Sequence, residues 1–226
     1  GTGAVTDRIA DIEIAADNTL YVSAGIFTTD GIYKSTTGNA GSWTLLNPGG
    51  NGFPTTGFSR IELACAPSNS QVIYAMAQGS SNGLLNIYKS SDGGANWVTL
   101  PLPSDADGGI GTDITRTQAW YDLISIVDPN DANVIYVGGV DLFKSSNGGN
   151  TWQQISHWYG GFGFQDVHAD QHSMAFEPGN SNVLYFGNDG GIWRTSNGTA
   201  AIPTIVTKNE GYNVTMFYAC AIDPTI

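Results

Sequence analysis

Ser90-Ser91-Asp92-Gly93-Gly94-Ala95-Asn96-Trp97 and, 55 residues further on, Ser145-Ser146-Asn147-Gly148-Gly149-Asn150-Thr151-Trp152 are two copies of one turn. Each follows an aromatic residue and a base, Tyr88-Lys89 and Phe143-Lys144. Looser copies stand at Tyr33-Lys34-Ser35-Thr36-Thr37-Gly38, with Trp43 behind it, and at Trp193-Arg194-Thr195-Ser196-Asn197-Gly198, with no Trp. The base recurs after 55, 55 and 50 residues, a period too long for most helical repeats and suited to a unit of four short strands. The residue types explain the turn. A short Asp or Asn caps its own turn through local backbone hydrogen bonds, Gly supplies positive φ, and the Trp packs back on the sheet. Ser90, Asp92, Gly94, Trp97, Ser145, Asn147, Gly149 and Trp152 are therefore read as scaffold.

Strands extend outward from these turns. Inner strands read Ile12-Glu13-Ile14, Ile61-Glu62-Leu63-Ala64, Leu123 to Val127 and His172 to Phe176. Pro67, Pro129 and Pro178 close three of them, because proline has no amide for a ladder. Second strands end on Tyr21 followed by Val22, on Tyr74, on Tyr136 and on Tyr185. The expectation is an all-β chain of four antiparallel four-stranded units at about 9–46, 60–100, 120–156 and 172–208. Phe217 to Pro224 repeats the inner-strand pattern, so residues 217–226 are expected to open a fifth unit and 1–226 to be part of a larger ring. A four-unit ring closed by that last strand is the alternative.

Composition agrees. The chain has 226 residues, 41% of them apolar, with 30 glycines and few helix signals. Its formal charge of −12, from 20 acids against 8 bases, makes nucleic acid and anionic membranes poor partners. No run approaches the length of a membrane span. No charged-then-apolar leader is present, so any export signal is expected upstream or already removed. Cys65 and Cys220 fall in different units and read as buried thiols. No cofactor signature appears.

The turns resemble the Asp-box, Ser-x-Asp-x-Gly-x-x-Trp, of sialidase-like BNR-repeat β-propellers. Residues 165–195 and Trp120-Tyr121-Asp122-Leu123 are similar to stretches of large secreted BNR-repeat proteins of Bacteroidetes-type bacteria, which are commonly exported by a type IX route and often labelled glycosyl hydrolases. The resemblance implies a propeller whose units are blades, an extracellular or cell-surface location, and a glycan or protein ligand. In such a ring the inner-strand entrances and the loops between second and third strands share one face, opposite the Asp-box turns. Ligand candidates on that face are Arg8, Arg60, Tyr121, Asp122, His168, Asp170, His172 and Asp189. Arg116, Asp30 and Asp141 stand nearby in sequence.

His168-x-Asp170-x-His172 would turn three side chains the same way on an extended strand. Two imidazoles and a carboxylate suit a polar ligand, an acid–base pair or a divalent metal; no fourth ligand is evident, and no metal is expected. Sialidases carry an arginine triad that Arg8, Arg60 and Arg116 imitate by spacing, although Arg8-Ile9-Ala10 lacks the Pro of their Arg-Ile-Pro motif. The favoured expectation is a non-catalytic extracellular propeller module binding glycan or protein. Its alternative is a glycoside hydrolase of the sialidase or xyloglucanase-like kind.

Overall fold

A computed structural model describes residues 8–211, which form sixteen strands in four antiparallel four-stranded sheets, with no helix among them. The first blade holds β1 (Ile9–Ile14), β2 (Leu20–Ala24), β3 (Gly31–Ser35) and β4 (Thr44–Leu45). The second holds β5 (Phe58–Cys65), β6 (Ile73–Gly79), β7 (Leu84–Ser90) and β8 (Val98–Thr99). The third holds β9 (Ile124–Val127), β10 (Ile135–Gly138), β11 (Leu142–Ser145) and β12 (Gln153–Gln154), and the fourth β13 (Gln171–Phe176), β14 (Leu184–Asn188), β15 (Gly191–Thr195) and β16 (Ile205–Thr207). Strand order follows chain order in every sheet, and β1, β5, β9 and β13 neighbour one another in series. Residues 217–226, expected to open a fifth blade, lie outside the described residues, as does Cys220.

Alternation within each strand sends one set of side chains toward the preceding blade and the other toward the next. Ile61, Leu63, Ile73, Ala75 and Tyr88 pack toward blade one, whereas Ala64, Tyr74, Met76 and Ile87 pack toward blade three. Ile126, Met174 and Phe176 are only partly buried, at the margin of the third cluster. Cys65 is buried and free.

The recurrent base has a structural cause that its sequence position does not reveal. Lys34, Lys89, Lys144 and Arg194 of the third strands lie over the rings of Tyr21, Tyr74, Tyr136 and Tyr185 of the second, between 5.3 and 5.6 Å from the centroid. In the first three blades this pair clasps the next one. Tyr21 Oη and Lys34 Nζ both donate to Gly93 O at 3.3 Å, and Tyr136 Oη (2.6 Å) and Lys144 Nζ (2.7 Å) both donate to Gly198 O. Tyr74 Oη reaches Ala132 O at 2.8 Å. A buried cation is tolerable here because carbonyls and an aromatic face replace its water.

The Ser-x-Asp/Asn-x-Gly turns are built as their residue types dictate. Ser90 Oγ accepts from Gly94 N (2.8 Å) and donates to Asp92 Oδ1 (2.8 Å), which in turn accepts from Asn96 N (2.8 Å). Ser145, Asn147, Gly149 and Thr151 repeat the pattern. Gly94 and Gly149 have φ of 87° and 85°, and a Cβ on either would collide with Leu46 or Leu100 of the preceding blade's exit. The two tryptophans differ, contrary to the equal packing role expected of them. Trp97 is buried against Phe53, whereas Trp152 is half-buried and donates its Nε1–H to Pro101 O at 2.7 Å. The cause is the linker: a phenylalanine fills the space behind the second blade's turn, while a proline lies behind the third.

Among the described residues no helix is long and apolar enough to cross a membrane.

Candidate functional site

The segment from Leu100 to Leu123, between β8 and β9, carries the largest departure from regular structure. Arg116 and Thr117 are consecutive left-handed residues, with φ of 49° and 68°, a conformation that costs non-glycine residues energy and persists only where neighbours fix it. Asp113 does the fixing. Its Oδ1 accepts from Leu84 N (2.8 Å) and Thr115 Oγ1 (2.7 Å), and its Oδ2 from Thr117 N (2.9 Å). Arg60 holds the end of the segment, donating to Ala119 O (3.3 Å) and Leu123 O (2.9 Å) while pairing with Glu62 (3.2 Å).

What this segment delivers is Trp120 and Tyr121, 51% and 37% exposed, with ring centroids 5.5 Å apart. Tyr121 Oη donates to the Asp189 carboxylate, at 3.0 and 3.1 Å from its two oxygens. Asp189 lies in the β14–β15 hairpin, and its Oδ1 also lies 2.8 Å from His172 Nε2 at the start of β13. The Tyr121 and His172 rings meet edge to face at 4.5 Å. Gln118 Nε2 donates to Asp170 Oδ1 (3.2 Å). Thus Tyr121, His172 and Asp189 are joined directly, with Asp170 at their edge.

Asp122 lies beneath them, wholly buried, with no hydrogen-bond partner at either oxygen. Burial, reinforced by Asp170, pushes its carboxyl up to about 8. Burial and then Asp189 also raise Asp170, so this corner retains protons that free carboxyls would have lost.

The other expected residues fall out differently. His168-x-Asp170-x-His172 is not one extended strand: β13 begins at Gln171, and Asp170 has a left-handed φ of 63°. His172 therefore closes on Asp189, Asp170 on Gln118, and His168 packs against Gly190. Arg60 is committed to Glu62 and two carbonyls. Arg116 is committed to Asp105 (3.0 Å), Asp141 (3.4 Å) and Asp107 (3.7 Å), so both guanidiniums are engaged by groups of this chain, whereas a sialidase-like triad holds them open to a ligand's carboxylate. Arg8 stands exposed before β1, and Asp30 accepts from its own blade's Tyr33 Oη at 2.6 Å.

Sequence reading missed two features. One is a second exposed aromatic group, Trp158, Tyr159 and Phe162, in the loop after β12, which opens on the same end of blade three as the β10–β11 hairpin. Its signal was available in Trp158-Tyr159-Gly160-Gly161-Phe162, aromatics on a glycine-rich loop. The other is the convergence of Asp105, Asp141 and His157, whose candidate ligand atoms lie within 4.8 Å of one another. Burial, then Asp105, pushes Asp141 up to about 7, and burial lowers the basicity of His157.

Comparison with known proteins adds the following. No family model matches the chain. A xyloglucanase of Hypocrea jecorina (strain QM6a) is 29% identical over 189 residues, covering 67% of this chain and 22% of that protein. The crystal structure of the Niastella koreensis GH74 enzyme superposes with a TM-score of 0.62 at 20% identity, over 92% of this chain and 31% of that one. The GH74 xyloglucanase from Xanthomonas campestris superposes at 0.58 and 15% identity, over 88% and 30%. The fold is a β-propeller. The chain spans less than a third of the length of these relatives, and this propeller is similar to part of theirs.

Proposed function

We propose that this propeller binds a neutral polysaccharide of the β-glucan class, such as xyloglucan, across the face that carries Trp120, Tyr121, His172 and Asp189. The observation that carries the reading is the exposed Trp120–Tyr121 pair set beside the Tyr121–Asp189–His172 hydrogen-bonded group. Sugar rings present apolar C–H faces and a rim of hydroxyls. Aromatic faces take the former, and a carboxylate with an imidazole takes the latter. The acids at this face and the committed arginines disfavour an anionic sugar. The likeness to a xyloglucanase points to the same class of ligand. An extracellular or cell-surface location follows from the ligand, since a polysaccharide does not cross membranes.

Affinity electrophoresis on xyloglucan, mixed-linkage glucan and a sialylated glycan tests this. Retardation is expected on the neutral glucans, weakened roughly tenfold by Trp120→Ala. Retardation on the sialylated glycan alone, or full retention by Trp120→Ala, contradicts it.

A hydrolase is the second reading, favoured by one observation: Asp170, its carboxyl raised by burial and by the neighbouring Asp189, forms with Asp189 a pair of carboxyls on this face. In that case Asp189→Asn abolishes release of reducing ends while glucan binding remains measurable.

A further inference from the structure

Asp105, Asp141 and His157 come from three separate stretches: the segment before blade three, the β10–β11 hairpin and the loop after β12. All three are buried, at 5%, 0% and 0% exposure. Asp141 Oδ1 and both ring nitrogens of His157 have no hydrogen-bond partner. Buried polar atoms are nearly always paired, and an imidazole with two unmatched nitrogens calls for a specific partner. The Tyr159 ring, edge to face with His157 at a centroid distance of 4.1 Å, can take one N–H. The lone pair of the other nitrogen stays unmatched, facing two carboxylates.

Arg116 does not complete the group. Its guanidinium is shared among three acids, Asp105, Asp107 and Asp141, so acids outnumber bases at a largely buried place. A divalent ion offsets that excess. The donor set of one imidazole nitrogen and two carboxylate oxygens suits Zn2+ or Mn2+ better than Ca2+, which takes oxygen. Ligands about 2.0–2.2 Å from a tetrahedral ion lie roughly 3.3–3.6 Å apart, so atoms that now lie within 4.8 Å of one another need a contraction of at most about 1.5 Å.

We propose that Asp105, Asp141 and His157 form a divalent transition-metal site, taking an ion of the Zn2+ or Mn2+ class, that ties the segment before blade three to the blade itself. The ion is structural. It fixes the stretch that leads, through Arg116 and Gln118, to Trp120 and Tyr121. The proposal stands apart from the glycan reading, because its readouts need no sugar.

The test is calorimetric titration of the EDTA-stripped chain with ZnCl2 and, separately, MnCl2, alongside thermal melts. One ion per chain is expected for at least one metal, with a Tm raised by several degrees at saturation. His157→Ala and Asp141→Asn should each lower affinity roughly 10- to 100-fold or more. His168→Ala should leave it unchanged. No binding by the wild-type chain of either ion overturns the proposal, and so does binding that survives His157→Ala or is lost in His168→Ala. Should His157→Ala fail to fold, Asp141→Asn and the wild-type melts still decide it.

Discussion

Trp97→Ala is expected to destabilise the chain by about 3 kcal/mol, and Trp152→Ala by only about 1–2 kcal/mol. The two residues occupy the same place in the repeat, so the contrast isolates packing from motif. Trp97 is 5% exposed and meets the Phe53 ring at 5.3 Å, so its removal leaves a cavity between blades one and two. The estimate sits at the low end of the range for large aromatics because the Trp97 Nε1–H is buried without a partner, and its loss returns part of that cost. Trp152 loses a hydrogen bond to Pro101 O and a half-covered ring, both replaced in part by water. Chemical denaturation of the two variants measures the difference. Equal losses contradict the account of the blade junctions.

The second large effect is a fall in stability as pH rises. Glu62, Glu13 and Asp122 are carboxyls on or beside the inner strands, held by burial above their ordinary range, at about 8, 7 and 8. For Glu62, burial and the neighbouring Asp11 outweigh the Arg60 ion pair. An unfolded chain releases these protons near pH 4, whereas the folded chain holds them until pH 7 to 8. Between those limits the folded state binds more protons, so its stability decreases with increasing pH. Because Glu13 and Glu62 are partly solvated, the combined loss from pH 5 to pH 8 is expected on the order of 3 kcal/mol, or roughly 10 °C in Tm, well below the roughly 10 kcal/mol that three fully desolvated groups would lose. Below pH 4 the trend reverses, because Asp92, lowered by its bonds to Asn96, loses its turn when protonated. Glu62→Gln should flatten part of the slope and raise Tm at pH 8. A Tm that is level or rising from pH 5 to pH 8 is the contrary result.

The scaffold was legible where chemistry is local. The Ser–Asp–Gly turn satisfies itself within five residues, so Ser90 to Gly94 and Ser145 to Gly149 announce their conformation wherever they stand. Even the degenerate copies keep the key acceptor, with Ser35 Oγ taking Gly38 N at 2.9 Å and Thr195 Oγ1 taking Asn197 N at 3.2 Å. The candidate site was legible only in part, because its geometry is long-range. Nothing near Asp170 in sequence dictates a positive φ, and its partner Gln118 is 52 residues away. Arg60 looked like a ligand because it precedes an inner strand, yet its reach to Ala119 and Leu123 makes it the support of the Trp120–Tyr121 platform. The convergence of Asp105, Asp141 and His157 spans 52 residues and two connecting segments, with no spacing to betray it.

The central claim is the proposal that the ligand face is the one bearing Tyr121, His172 and Asp189, opposite the turns at Ser90–Gly94 and Ser145–Gly149. Calorimetric titration of a xyloglucan oligosaccharide into wild-type, Tyr121→Ala, Asp189→Ala and Asp92→Asn chains tests it directly. The account predicts affinity reduced about tenfold or more by the first two substitutions and unchanged by Asp92→Asn. Affinity that is unchanged in Tyr121→Ala and Asp189→Ala, or lost in a folded Asp92→Asn chain, contradicts it.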